Sequence, residues 1–401
     1  MPHPIPPDFR VPGFKAAGIA AGIKKKDVQD FALIYSEVPA AAAGVFTTNR
    51  VKAAPVLICR ERLKSGKAQA VLANAGCANA CTGKDGILDA VRLSRTLGSA
   101  LRIRPESVLP ASTGVIGRRL PVEVMEEKIS SLVDSLSPEG LGDAARAIMT
   151  TDTVPKAVIA AGTVNGKEIR VAGIAKGAGM ISPRMATLLV FVVTDAAVSG
   201  SALRKALKAG VETSFNRVTV DGDMSTNDTL LILANGEAGN RPVLAEGPAY
   251  RKFSSLLNGV LLDLSKKIAR DGEGVTKVVK IVVERARTGA EAEKVARAVA
   301  NSPLCKTAFF GEDANWGRIL CAAGYSGAQI DPDRVDIHFD DVTLVRRGRQ
   351  LNGDAEARAT SVMKKPEYTV RIDLHRGSKD TFLFTTDLSF DYVKINASYR
   401  S

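Results

Sequence analysis

The chain has three histidines, too few and too scattered for the commonest acid–base chemistry. His3 stands in a proline-rich front arm. His338 and His375 stand in alternating, strand-like runs, where a packed or surface imidazole is the ordinary expectation. Neither H-E-x-x-H nor G-x-S-x-G occurs, which argues against a Ser-His-Asp hydrolase and against a histidine-ligated zinc enzyme. Acyl transfer on this chain therefore needs a nucleophile served by some other base. Thr187 is the residue to weigh. It follows small Ala186 and opens the apolar run Leu188–Val193. Taken alone, it reads as a β-former at the start of a strand. A threonine made N-terminal by backbone cleavage gains a second possibility. Its own α-amino group, with an ordinary pKa of about 7.7–8.0, accepts the hydroxyl proton and no histidine is needed.

Other motifs carry less. Lys176-Gly177-Ala178-Gly179 resembles half a phosphate loop, but the lysine leads the glycines instead of following them, so a turn at a strand end is the better reading. Asp221–Asp228 has the polar spacing of a calcium loop, yet Thr226 stands where the sixth-position glycine belongs and Ile232 where the twelfth-position glutamate belongs. A polar structural loop remains, one that could face an active site. The five cysteines, at 59, 77, 81, 305 and 321, are an odd number and point to reduced thiols in the cytosol. Cys77 and Cys81 have no second pair and no nearby histidine, so they read as buried thiols and not as a zinc site.

Around these residues, Phe31–Val51 reads as short strands, and Pro55–Cys59 and Ala68–Ala73 as buried strands. Apolar spacing predicts helices over Asp89–Leu101, Val122–Leu136, Ala202–Phe215, Ala249–Asp271 and Ala290–Ala300. Residues 112–117, Ser-Thr-Gly-Val-Ile-Gly, read as a small-residue loop between elements. Val158–Ala161 and Ile169–Ile174 form a hairpin around Asn165-Gly166. Leu188–Val193 and Thr229–Ala234 are fully apolar strands. Further strands are expected over Val275–Arg285, Val335–Phe339, Val342–Arg346, Tyr368–Leu374 and Phe382–Thr386. The mixture makes the class α/β or α+β with large sheets.

Composition sets the outer limits. Hydrophobic residues are 45% and charged residues 24% of the chain, enough to bury a sizeable core. The net charge of +12 could steer acidic partners. Aromatics are only 5%, and no basic run is interleaved with them, which argues against nucleic acid. The basic clusters Lys24–Lys26 and Arg346–Arg349 read as solvated loops or strand ends. No run approaches the ~20 apolar residues of a membrane span, and Met1–Pro12 lacks an apolar signal core.

The segment 176–189, Lys-Gly-Ala-Gly-Met-Ile-Ser-Pro-Arg-Met-Ala-Thr-Leu-Leu, closely resembles the signature of the ornithine acetyltransferase family, the bifunctional glutamate N-acetyltransferases of arginine biosynthesis. The resemblance extends over 74–83, 112–117, 149–153, 219–228, 271–277 (Asp-Gly-Glu-Gly-Val-Thr-Lys), 313–318 and 395–401, in family order from near residue 70 to the last residue. The chain departs from the family pattern at Ser182, Arg184, Ala75-Gly76-Cys77 and Ala314, none of which is an implied catalytic position.

The resemblance implies a layered αββα sandwich shared with self-cleaving aminopeptidases. It implies autocleavage between Ala186 and Thr187, giving an α chain 1–186 and a β chain 187–401 assembled as α2β2. Thr187 would be the nucleophile, with the Thr113 hydroxyl and the Gly114 N–H as oxyanion hole. Lys176, Glu273, Asn396 and Ser401 would bind substrate, together with Thr150 or Thr151, between which sequence does not choose. The implied reaction takes acetyl from N-acetylornithine onto Thr187 and passes it to glutamate, without metal or organic cofactor. Whether acetyl-CoA is also a donor stays open. A self-cleaving amidase or aminopeptidase of the same architecture is the alternative enzyme, and a non-enzymatic basic protein the alternative of another class.

Overall fold

The computed structural model describes residues 5–24, 27–182 and 188–398. The chain falls into two compact units. One is built on Met1–Asn216 and Asp223–Ile268, the other on Arg217–Gly222 and Ala269–Tyr399.

Among the described residues, the first unit carries an eight-stranded sheet. Its strands are β1 (Phe14–Ile19), β2 (Phe31–Phe46), β3 (Lys67–Cys77), β4 (Val108–Val115), β5 (Lys156–Val164), β6 (Lys167–Lys176), β7 (Leu189–Thr194) and β8 (Thr229–Ala234). The helices are α1 (Ala54–Arg62), α2 (Gly83–Leu101), α3 (Val122–Asp134), α4 (Leu141–Ala147), α5 (Gly200–Thr213) and α6 (Gly247–Arg270). The strand order is β4-β3-β2-β8-β7-β6-β5, with β1 also on β2. The β5–β6 hairpin turns at Asn165 and Gly166, both at positive φ (48° and 77°), as a tight hairpin turn requires.

The long strand β2 joins two halves of this sheet. Its first part pairs with β3 and its last part with β8, with a shift of register between Tyr35 and Ala40. It is one 16-residue strand where the sequence suggested several short ones. Side-chain alternation then sorts the layers. Ile34, Val71, Ala73 and Leu109 share an inner core with Leu189, Phe191, Leu231 and the alanines of α4. Their alternates Phe31, Leu33, Ala70 and Leu72 pack on Leu93 and Leu97 of α2 and Met125 and Ile129 of α3. On the other half, a methyl group at Gly162 or Gly173 would strike Leu256 or Leu264 of α6. The result is a mixed α/β sandwich of helix, sheet, sheet and helix.

The second unit has its own six-stranded sheet, in the order β12-β11-β10-β13-β9-β14. These are β9 (Val278–Ala286), β10 (Asp336–Phe339), β11 (Val342–Arg346), β12 (Arg349–Gln350), β13 (Glu367–Asp373) and β14 (Lys379–Thr386). Helices α7 (Gly289–Asn301), α8 (Pro303–Phe310), α9 (Trp316–Gly324), α10 (Ala355–Met363) and α11 (Phe390–Ser398) complete the unit. Val279, Ile281 and Val283 of β9 bury against Val295 and Val299 of α7, Ile319 of α9 and Ile337 of β10.

Several expectations need correcting. Pro55–Cys59 is not a strand but the body of α1, with proline in its first turn, where its missing N–H costs nothing, and arginines in its last. Residues 112–115 are not loop but the end of β4, hydrogen-bonded in register with β3. Cys77 is buried as expected, whereas Cys81 is exposed; neither is in a disulfide. Lys24 is half-buried, with its ammonium on the Met149 carbonyl at 2.9 Å, so it is no solvated loop residue. Lys25 and Lys26 lie outside the described residues. Arg346–Arg349 does sit at an open turn between β11 and β12. Among the described residues no helix is long and apolar enough to cross a membrane.

Candidate active site

Three residues singled out in the sequence meet at strand ends of the first unit. Thr113 and Gly114 lie in the last residues of β4, just before Val115, and Lys176 closes β6. Four strands separate β4 from β6 in sheet order. At about 4.8 Å per strand, a flat sheet would hold them roughly 24 Å apart. Yet the Lys176 ammonium donates to the Thr113 hydroxyl oxygen at 3.3 Å. The sheet is therefore curled until its halves face each other, and this contact lies where they meet. Both side chains are buried, with Thr113 at 4% and Lys176 at 2% exposure.

Gly114 adopts φ +130°, and a Cβ there would lie 2.3 Å from the Gly76 carbonyl carbon and 2.6 Å from the Cys77 nitrogen. Backbone cannot yield to such a clash, so only glycine fits. Next to it, the Ser112 hydroxyl donates to Asn74 Oδ1 at 2.6 Å, and Asn74 Nδ2 donates to the Cys77 carbonyl at 2.9 Å. The end of β4 is thus held on the end of β3 by side chains as well as by its ladder.

Lys176 owes its place to a buried carboxylate. Asp152 Oδ1 accepts from Lys156 Nζ at 2.6 Å and from the Gly177 N–H at 2.7 Å, and Oδ2 accepts from the Thr150 N–H at 2.9 Å. Burial by itself would raise the Asp152 carboxyl. The Lys156 and Lys176 ammonium charges and these hydrogen bonds outweigh it and hold the group well below the usual carboxylate range. Through Gly177 it fixes the chain beside Lys176, and through Thr150 it fixes the 149–153 turn. Thr150 and Thr151 are both half-buried there. Only Thr150 is tied to Asp152, and by its backbone.

Glu273 and Asn396 meet within the second unit. Asn396 Nδ2 donates to Glu273 Oε2 at 2.8 Å, and Glu273 is only 8% exposed. The turn carrying the glutamate presses on α11: Gly274 has φ +66°, and a Cβ there would lie 2.4 Å from the Tyr392 nitrogen. Ala186, Thr187 and Ser401 lie outside the described residues. Leu188 and Leu189, which follow Thr187, are buried, and Leu189 pairs with Lys176 across the β6–β7 ladder and with Thr229 across the β7–β8 ladder.

Sequence reasoning left two residues unassigned. Asn227 sends its Nδ2 to the Ala78 carbonyl at 2.6 Å and to the Ser112 carbonyl at 2.8 Å, clamping the residue before Thr113. Asp228, fully buried, accepts the Leu188 N–H on Oδ1 at 3.0 Å. The polar run 221–228 was their only signal, and it could not say which members turn inward.

The arrangement suits acyl transfer at a main-chain or substrate carbonyl. It offers a hydroxyl and a glycine backbone at one strand end and a buried cation against them. Comparison with known proteins agrees. The ArgJ family model matches residues 15–401. The arginine biosynthesis bifunctional protein ArgJ of Geobacter sulfurreducens is 54% identical over 394 residues, covering 98% of this chain and all of the relative. That of Symbiobacterium thermophilum is 52% identical over 394 residues, covering 97% of each. A crystal structure of the arginine biosynthesis bifunctional protein argJ from Bacillus halodurans aligns with a TM-score of 0.50 at 39% identity, over 52% of this chain and 98% of that one. The chain belongs to the ArgJ family and is an acetyltransferase of arginine biosynthesis.

Proposed function

We propose that the chain cuts itself between Ala186 and Thr187 and then uses Thr187 to carry an acetyl group from N-acetylornithine to glutamate. The Thr187 oxygen attacks the acetyl carbonyl, the Thr113 hydroxyl and Gly114 N–H hold the developing oxyanion, and ornithine leaves. Glutamate then attacks the acetyl-threonine ester and departs as N-acetylglutamate. Lys176, Glu273, Asn396, Ser401 and one of Thr150 or Thr151 bind substrate, the cation suited to a carboxylate and the anion to an amino group. Thr150 is the better candidate of the pair, since Asp152 fixes its backbone. We place the enzyme in the cytoplasm, as α and β chains assembled α2β2.

The observation that carries this reading is the buried Lys176–Thr113 contact at 3.3 Å, which joins the strand end next to Gly114 with the strand that pairs beside residue 189. The first test is denaturing intact mass with N-terminal sequencing. Two chains are expected, one beginning at Thr187; a single stable chain removes the covalent mechanism. Initial rates against both substrates are then expected to give parallel double-reciprocal lines, and intersecting lines refute the acetyl-enzyme route. Acetyl-CoA belongs in the same assay as a second donor. Release of acetate without N-acetylglutamate would turn the reading into that of an amidase.

A further inference from the structure

The mature nucleophile and the uncut chain face different problems. Once freed, the Thr187 α-amine can take the proton from its own hydroxyl. Before cleavage that nitrogen belongs to the scissile amide, its lone pair is delocalised, and it accepts no proton. The first step therefore needs another base. Both strand histidines are already engaged, His338 with the Thr343 hydroxyl and His375 with the Asp336 carboxylate. Lys176 is a donor to Thr113, and Asp152 is filled by three donors and is a weak base.

We propose that Asp228 is the proton acceptor for self-cleavage. The inference rests on the reading that Ala186–Thr187 is the bond cut. Its ground is geometric. Asp228 Oδ1 is 3.0 Å from the Leu188 nitrogen, the amide nitrogen bonded directly to the Thr187 carbonyl carbon. Asp228 is 0% exposed, and its other oxygen, Oδ2, has no hydrogen-bond partner. The Thr47 hydroxyl lies near enough to act on the carboxyl charge. Its hydrogen, however, goes to the Ser225 carbonyl at 2.8 Å, while its N–H holds the Asp228 main-chain oxygen. An orphaned buried carboxylate oxygen is costly to keep unless it has a use. Burial pushes this carboxyl well above the usual range, against the Leu188 N–H, the Thr47 hydroxyl and the Lys176 charge, which makes it a stronger base than an ordinary aspartate.

The steps balance. The Thr187 hydroxyl proton passes to the Asp228 carboxylate as Oγ1 bonds to the Ala186 carbonyl carbon. The C–N bond breaks, the nitrogen takes that proton from Asp228, and an ester remains. Water attacks the ester and gives a proton to Asp228, which returns it to Oγ1 as the C–O bond breaks. One water is consumed, leaving a carboxylate at Ala186, an amine on Thr187 and one proton, which passes to that amine or to solvent.

The test follows cleavage of the full chain after cell-free synthesis, by mass spectrometry over time. Asp228→Asn keeps an oxygen for the Leu188 N–H, so a merely structural role leaves cleavage near the wild-type rate. A base predicts a fall of about 100-fold or more, with partial recovery in Asp228→Glu. A folded Asn variant cut within a few-fold of wild type overturns the proposal. Should the Asn variant fail to fold, the wild-type rate between about pH 5 and about pH 10 decides. A carboxylate base gives a single rise and then a plateau, its position raised by burial and lowered by the neighbouring Lys176 charge. A rate rising in proportion to hydroxide throughout overturns it. If wild type itself is never cut, the functional reading fails first, and that result is distinct from either outcome here.

Discussion

Asp152 and Asp228 both lie out of water in the first unit, the one beside the chain that leaves β6, the other just before β8. Asp152 has a lysine and two backbone N–H groups on its oxygens. Asp228 has one N–H on one oxygen and nothing on the other. Burial acts on both in the same direction, but only in Asp152 do enough opposite charges and donors overcome it. The difference shows what separates a carboxylate that holds a site together from one available to take a proton. The first is saturated and fixed as an anion. The second is undersaturated and holds the Leu188 N–H, one residue along the chain from Thr187.

Variants in a Thr187→Ala background, which is expected to keep the chain whole, sharpen this contrast free of cleavage. The largest effect is expected from Asp152→Asn, which leaves Lys156 buried without its counter-charge. Urea unfolding at neutral pH should show a loss of about 3–5 kcal/mol. The sign with pH follows from the lowered pKa. Stability from Asp152 is complete above the ordinary aspartate value of about 3.9 and is lost as pH falls through the lower folded value. The gap between the two proteins should therefore narrow only in strong acid.

Thr113→Val comes next, in the cleavable chain. Loss of the hydroxyl facing Lys176 should lower kcat about 100-fold while the melting temperature holds, as steady-state kinetics and a thermal melt would show. A kcat within a few-fold of wild type would remove Thr113 from the oxyanion role. Asn227→Ala strands the Ala78 and Ser112 carbonyls and should cost about 1–3 kcal/mol in urea unfolding. The smallest shift is expected from Asp228→Asn, within about 1 kcal/mol and towards greater stability at neutral pH. Its carboxyl has a raised pKa, so the aspartate chain loses stability as pH rises from the ordinary carboxylate range through the folded value, and asparagine escapes that loss. A strongly destabilised Asp228→Asn chain would make the two aspartates alike and break the comparison.

What could be read from sequence follows the range of the forces involved. The β5–β6 hairpin was legible because Asn165-Gly166 and its flanking strands are local. Residues 55–59 were misread because a short apolar run suits a buried strand or a helix equally. The deciding signals, Pro55 at the start and Arg60 and Arg62 at the end, lay at its edges. Short helices such as α8, α10 and α11 went unseen for lack of length to show a period. Thr113, Gly114, Lys176 and Glu273 were singled out through family likeness; the structure brings Lys176 onto Thr113 in the first unit and Asn396 onto Glu273 in the second. Asn227 and Asp228 were not singled out, since their partners at 78, 112 and 188 are set by the curl of the sheet and by no spacing along the chain.

That curl also sets an order of events. Lys176 and Thr113 belong to strands that no local turn brings together, so their contact is absent from any chain whose sheet is still open. Contacts of this kind, distant along the chain, form late. A ribosome product that has made its hairpin but not closed its sandwich carries every residue of the cluster and none of its geometry. Cutting at residue 186, on the reading proposed here, then serves as a receipt for completed folding: the enzyme arms itself only after its architecture is whole.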